Sequence, residues 1–241
     1  MHVPDGFLNV PTSIATGVVA ACGIAAALRG ARRELDDKTV PLAGLVAAFV
    51  FAAQMINFPV GAGTSGHLMG GAMAAVLVGP WTATLAITVV LVVQCLLFAD
   101  GGITALGTNV VLLAIVGAWV GWAVFWLLRT ALPKRLTMVP VAAALGAFAS
   151  VVAAAAVFSV LFALGGTVAV PLGTVAAAMV GVHTLIGLGE AVITMMVVGA
   201  VVAVRPDLVH GARPLLRDAP LIVHGRPADT AATMVNEPSA S

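Results

Sequence analysis

MVPVAAALGAFASVVAAAAVFSVLFAL, residues Met138 to Leu164, is a run of 27 residues without a single charge. A bilayer-crossing helix needs about 20 predominantly apolar residues, whereas a soluble helix of this length needs a polar face that this run lacks. Similar runs recur from end to end of the 241 residues, at about 11–28, 40–57, 67–79, 81–99, 107–128 and 172–204. The chain is 61% hydrophobic and 9% charged, with a mean hydropathy of +1.12. Charged residues make up about a quarter of an ordinary soluble domain. The expected fold is therefore an all-α, polytopic membrane protein with about seven transmembrane helices.

The connectors orient it. All eleven Lys and Arg residues fall in 29–38, 129–137 and the tail from 205. With seven spans, these three segments share one side, and the opposite side receives only Asp5 and Asp100 as charges. By the positive-inside rule the N-terminus is outside and the C-terminus cytoplasmic. Residues 1–204 form a membrane-embedded domain in a plasma membrane, and 205–241, rich in Pro, Arg and small polar residues, form a mobile cytoplasmic tail. No basic region precedes the first apolar run, so Met1 is expected to be retained rather than removed with a signal peptide. The third run is short and the seventh is long, with Gly181, Gly187 and Gly189 inside it; broken backbone at membrane depth often marks a binding site. Small-residue pairs such as Ala43 and Ala47, or Ala48 and Ala52, suit close helix packing within one subunit or a docking face for a partner.

No catalytic module, nucleotide loop or nucleic-acid signature is present, and neither Cys22 nor Cys95 belongs to a zinc or disulfide pattern. The chain reads as a binding or transport subunit rather than an enzyme. His210 and His224 lie in the tail and read as solvated. His2 and His67 fall at the same, outer end. The amine of Met1, the amide nitrogen of His2 and the His2 imidazole can close two fused chelate rings around one ion, and His67 can supply a fourth nitrogen. Four nitrogens in a tetragonal set favour Ni2+ or Cu2+. Protons must leave the amine and the amide, so affinity should rise with pH. Asp5, Asn57, Thr64 and Ser65 can orient an imidazole or cap turns and helices. Glu190 is the one charged residue well inside a span, and such a carboxylate is a functional candidate. It lies two helical turns after His183, on nearly the same face. The pair suits a structural polar network, a proton-coupling pair or an ion-path lining, with Gln94 and Asn109 in the same interior polar set.

Met1 to Leu8 (MHVPDGFL), Asn57 to Val60, Thr64 to Gly71 (TSGHLMGG), Gly79 to Trp81, Gln94 to Gly102 (QCLLFADGG) and His183 to Glu190 (HTLIGLGE) together resemble the cobalt/nickel substrate-binding membrane subunit of energy-coupling factor (ECF) transporters, the CbiM/NikM family. The resemblance covers about 1–204. It implies a metal held near the outer face by Met1, His2 and His67, with Ni2+ or Co2+ as cargo and no organic cofactor. It also implies a transmembrane coupling (T) subunit, two cytoplasmic ATPase subunits and often a small accessory membrane protein as partners. The chain itself has no GxxxxGK[ST] loop, so ATP hydrolysis is expected from those partners. The alternative is a stand-alone proton-coupled secondary transporter using His183 and Glu190.

Overall fold

The computed structural model describes residues 1–37, 39–61 and 64–217. The predicted apolar runs become helices: α1 (Val10–Ala31), α2 (Thr39–Met55), α3 (Gly71–Val78), α4 (Pro80–Phe98), α5 (Leu106–Ala131), α6 (Met138–Gly165) and α7 (Leu172–Val204). Five of them are long and apolar enough to cross a bilayer, and α2, at 17 residues, is a shorter apolar helix. Their outward faces carry large apolar side chains such as Leu45, Leu97, Leu185 and Met196, as lipid contact requires.

The third run departs from the expected span. His67 does not begin a helix. Residues 67–70 are irregular, and α3 has eight residues, about 12 Å of rise, all of them buried. It sits in the centre of the bundle, touching α2, α4, α5, α6 and α7. A Cβ on Gly71 would fall 2.6 Å from the Gly117 carbonyl carbon, and one on Gly121 would fall 2.3 Å from Ala72 Cβ. Those glycines let α3 lie directly against α5. The stretch before it, read as a loop, forms a small antiparallel hairpin of β1 (Phe58–Gly61) and β2 (Thr64–Gly66), with Phe58 opposite Gly66 and an irregularity between Pro59 and Gly61. In the long seventh run, α7 is one continuous helix through its glycines. The backbone irregularity lies instead in α5, where Val110–Val116 is a π-helical stretch.

Two buried carboxylates start two helices. Glu190 of α7 accepts from the amides of Met69 (2.6 Å) and Gly70 (2.9 Å), just before α3. Glu34, in the connector after α1, accepts from the Thr82 amide (2.7 Å), the Thr82 hydroxyl (2.9 Å) and the Trp81 amide (3.3 Å) at the start of α4. Orphan amides of a first turn need such acceptors, and the positive end of the helix favours the charge. Between the two helices Gly79 has φ +96°, and a Cβ there would lie 2.4 Å from the Glu34 carboxyl carbon, so only glycine fits.

The connectors gather at two ends. At one, Asp36 meets Arg213 (3.1 Å) and Arg129 donates to the Gly211 carbonyl (2.9 Å). The mobile tail predicted from 205 therefore needs correction for its first part: 205–217 fold into short helical turns, and Val209 and Ala212 are fully buried. His210, read as solvated, packs on Trp122 with ring centroids 5.4 Å apart. The rest of the tail, with His224, lies outside the described residues. At the opposite end are the N-terminal peptide, residues 99–105 and the turn between α6 and α7.

Candidate metal centre

The N-terminal peptide is built into the fold. The Asn109 side chain pairs with Val3 twice, accepting from its amide (2.7 Å) and donating to its carbonyl (3.2 Å). The Gly102 amide also donates to the Val3 carbonyl (2.9 Å). Asp5 accepts from the amide (2.8 Å) and hydroxyl (2.5 Å) of Thr104. On the other flank the Thr167 amide donates to Phe7 (3.1 Å) and the Asn9 amide donates to Gly165 (2.7 Å). Phe7 packs between Phe158 and Phe162, and the Asn9 side chain caps α1 through the Thr12 amide. Met1, His2 and Val3 are 1%, 4% and 0% exposed as a result.

His67 comes to the same place from the opposite direction. The hairpin and the irregular 67–70 segment lower it into the bundle. Gln54 of α2 donates to the Met69 carbonyl (2.8 Å) while Glu190 holds the Met69 and Gly70 amides. The rings of His2 and His67 stack at 4.5 Å between centroids, with 25° between planes. His67 Nδ1 lies 2.8 Å from the Leu68 carbonyl, an acceptor, so Nδ1 carries the hydrogen and Nε2 presents a lone pair. That Nε2 is buried without a partner.

Asp100 completes the surroundings. His2 Nδ1 lies 3.1 Å from Asp100 Oδ1, within ion-pair range but off hydrogen-bond direction, and both His2 ring nitrogens are left without a hydrogen-bond partner. The imidazole beside it holds the Asp100 carboxyl below the usual carboxylate range. Burial pulls the Met1 amine well below its ordinary value, against the opposing charge of Asp100. Burial also lowers the His2 imidazole, with the Asp100 contact working the other way. Burial thus favours the neutral form of both nitrogens. Among the described residues no three His, Cys, Asp or Glu side chains converge as a ligand set. A cation held between His2 and His67 needs donors beyond these side chains.

The structure thus brings Met1, His2 and His67 together. The supporting residues divide. Asp5 is exposed and its carboxylate is bound to Thr104, which makes it a clamp on the peptide. Its carboxyl is held below the usual range by those hydrogen bonds. Asn57 is an exposed residue between α2 and β1, within reach of Asp100. Thr64 and Ser65 lie in β2, and their side chains are outside the described residues. His183 and Glu190 are both buried on α7, as their spacing predicts. They do not bond each other: Glu190 supports the His67 segment, and His183 Nδ1 lies 2.8 Å from the Met179 carbonyl. Asp100, read only as part of a turn, was missed as a site residue; its signal was being one of the two acids at the end of the chain's spans that carries no Lys or Arg. Asn109, read as an interior polar residue, proves to be the main clamp on the terminus.

A family model described as the cobalt uptake substrate-specific transmembrane region matches residues 2–208. The cobalt transport protein CbiM of Sorangium cellulosum is 36% identical over 215 residues, covering 86% of this chain and 94% of that protein. The fused nickel transport protein NikMN of Rhodobacter capsulatus is 36% identical over 225 residues, covering 88% of this chain and 65% of that longer protein. A crystal structure of a truncated transition metal transporter superposes with a TM-score of 0.73 at 30% identity, over 84% of this chain and 99% of that one.

Proposed function

The chain belongs to the CbiM family of cobalt-uptake substrate-specific transmembrane proteins, and from that membership we propose that it is the substrate-capture subunit of an ATP-driven ECF importer for Co2+ or Ni2+. The N-terminus faces outside. The ion is bound by the Met1 amine, the amide and imidazole nitrogens of His2, and His67 Nε2. A transmembrane coupling subunit and two cytoplasmic ATPases, with or without a small accessory membrane protein, supply the energy for release inside.

One observation carries this reading: Met1 and His2 are buried, the His2 ring stacks on His67, and His67 Nε2 is buried without a partner. A buried amine and two buried imidazoles have no water to satisfy them, and a cation that accepts their lone pairs resolves that cost. Asp100 adds a negative charge beside a divalent ion. The proton-coupled alternative finds less support, because both Glu190 oxygens are occupied by backbone amides and the two side chains do not bond each other, His183 Nδ1 being turned to the Met179 carbonyl.

The test is to place one glycine before Met1, or to acetylate it, in protein that keeps His2 and His67. High-affinity Ni2+ binding by the purified membrane protein should disappear. Native affinity in the extended chain would sink the fused-chelate site.

A further inference from the structure

At the end of the bundle away from the metal centre, an open cleft of about 500 Å3 is lined by Arg29, Gly30, Arg33, Glu34, Trp81 and His210. That volume is in the range of ligand pockets, about 300–1,000 Å3. Three separate parts of the chain build it. Arg29 stands in the last turn of α1, and Arg33 follows it by four residues, across the turn that ends the helix. Trp81 opens α4, and His210 belongs to the folded part of the tail.

Each wall is held by its own contacts. A Cβ on Gly30 would fall 2.3 Å from the Trp81 ring, so glycine is what lets the indole lie on α1. Trp81 also meets Trp119 edge-on, with centroids 4.4 Å apart. Arg129 and Arg213 anchor the segment carrying His210, whose Nδ1 is buried without a partner. A buried polar atom of this kind calls for a ligand or water. Glu34, the one acid of the lining, is already engaged by the Trp81 and Thr82 amides and the Thr82 hydroxyl. Arg29 and Arg33 are not so compensated. Among the described residues neither is in an ion pair, and Arg29 makes one long bond, to the Ala25 carbonyl (3.5 Å).

The surroundings indicate which anion fits. α1 is long and apolar enough to cross the bilayer, and Cys22, Ala25 and Leu28 below the arginines are exposed, so that face meets acyl chains. A tryptophan at the end of a span suits the headgroup level, and an arginine at a helix end reaches the same layer while its stem stays apolar. A guanidinium fork matches two phosphate oxygens at once. An occupant with a phosphate head and apolar chains satisfies both sides of the cleft.

We infer that this cleft binds the phosphodiester of an anionic membrane lipid, with Arg29 and Arg33 on the phosphate, Trp81 at the boundary between head and chains, and His210 on the tail side. Bound there, the lipid bridges α1, α4 and the 205–217 segment.

The experiment uses full-length protein in a neutral detergent at about 0.15 M salt, where exposed charges more than about 8 Å apart are largely screened. The probe is dioctanoylphosphatidylglycerol, with dioctanoylphosphatidylcholine and inorganic phosphate as comparisons. Calorimetry should show saturable binding of phosphatidylglycerol, tighter than either comparison. Arg29→Gln together with Arg33→Gln should weaken it about 10- to 30-fold, the worth of two basic residues at an anionic surface. Lys134→Gln together with Arg135→Gln removes the same charge outside the cleft and should weaken it less than about 3-fold under such screening. Both double variants should keep the wild-type melting curve and Ni2+ affinity. If the first does not fold, Arg29→Gln and Arg33→Gln singly should each weaken the lipid about 5-fold. Equal losses in the two double variants mean general charge attraction and overturn the inference. Inorganic phosphate binding as tightly as the lipid makes this a free-anion site, which overturns it too. So does the absence of saturable phosphatidylglycerol binding, or wild-type lipid affinity in folded arginine variants.

Discussion

At the scale of single residues, the Met1 amine is the group that burial changes most. Protons and metal compete for one lone pair. An exposed α-amine, with a pKa of about 8, is mostly protonated at neutral pH and must lose that proton to bind. Here burial lowers the amine and the His2 imidazole alike, so a metal has less proton competition to overcome at neutral pH than at an exposed amine. A lowered folded-state pKa means that acidification must go further before protons win. Ni2+ affinity is therefore expected to fall as pH falls, with its amine- and imidazole-linked limb at lower pH than in a solvent-exposed peptide of residues 1–8. Calorimetric Ni2+ titrations from about pH 5 to 8, where such groups titrate, measure this. A limb coinciding with that of the peptide would mean that the amine is solvated in the protein.

At the scale of elements, α3 and its lead-in are the working part. An eight-residue helix has little stability of its own, and this one depends on the glycine contacts with α5 and on the Glu190 carboxylate at its start. The carboxylate presents two acceptors to two amides. Glu190→Gln replaces one of them with an NH2 group that faces an N–H, leaving that amide unpaired and loosening residues 67–70. Although Glu190 is not one of the proposed ligands, its loss should lower Ni2+ affinity by about 10- to 100-fold in folded protein. Unchanged affinity, measured by equilibrium dialysis beside an unaltered melting curve, would show that the His67 segment holds its geometry without this cap.

At the scale of the whole molecule, the N-terminal peptide and the 205–217 segment are tied down at opposite ends of one bundle. The second is anchored by Arg129 on the Gly211 carbonyl, Arg213 on Asp36 and Thr39, and by buried Val209 and Ala212. A Cβ on Gly211 would fall 2.6 Å from Phe125 and 3.2 Å from Val76, so this segment closes the ends of α3 and α5 on the side away from the N-terminal peptide. A chain ending at Arg217 should melt like the full-length protein in detergent. A chain ending at Val204 should lose about 2–4 kcal/mol, the burial of a valine plus smaller contacts, seen as a lower unfolding temperature. Equal melting of the two truncations would mean that the segment docks without stabilising the bundle.

Hydropathy placed α1, α4, α5, α6 and α7 because burial in lipid is a local property: each segment must be apolar by itself, whatever its neighbours. Connector charge and the chemistry of a terminal Met1-His2 pair are local too, and they pointed to His67 as its partner through topology alone. The features that shape the site are not local. Glu190 reaches the amides of Met69 and Gly70 from more than a hundred residues away, and Asn109 pairs with Val3 across a similar separation. No periodicity records either contact. The reduction of the third run to a half-helix, the move of Asp100 from turn to site, and the folding of 205–217 onto the bundle all follow from packing between segments. Membrane class and the meeting of the N-terminus with His67 were legible because hydropathy and connector charge suffice to encode them. Support for the donors was not, since it exists only where α2, α5 and α7 converge on the terminus and His67.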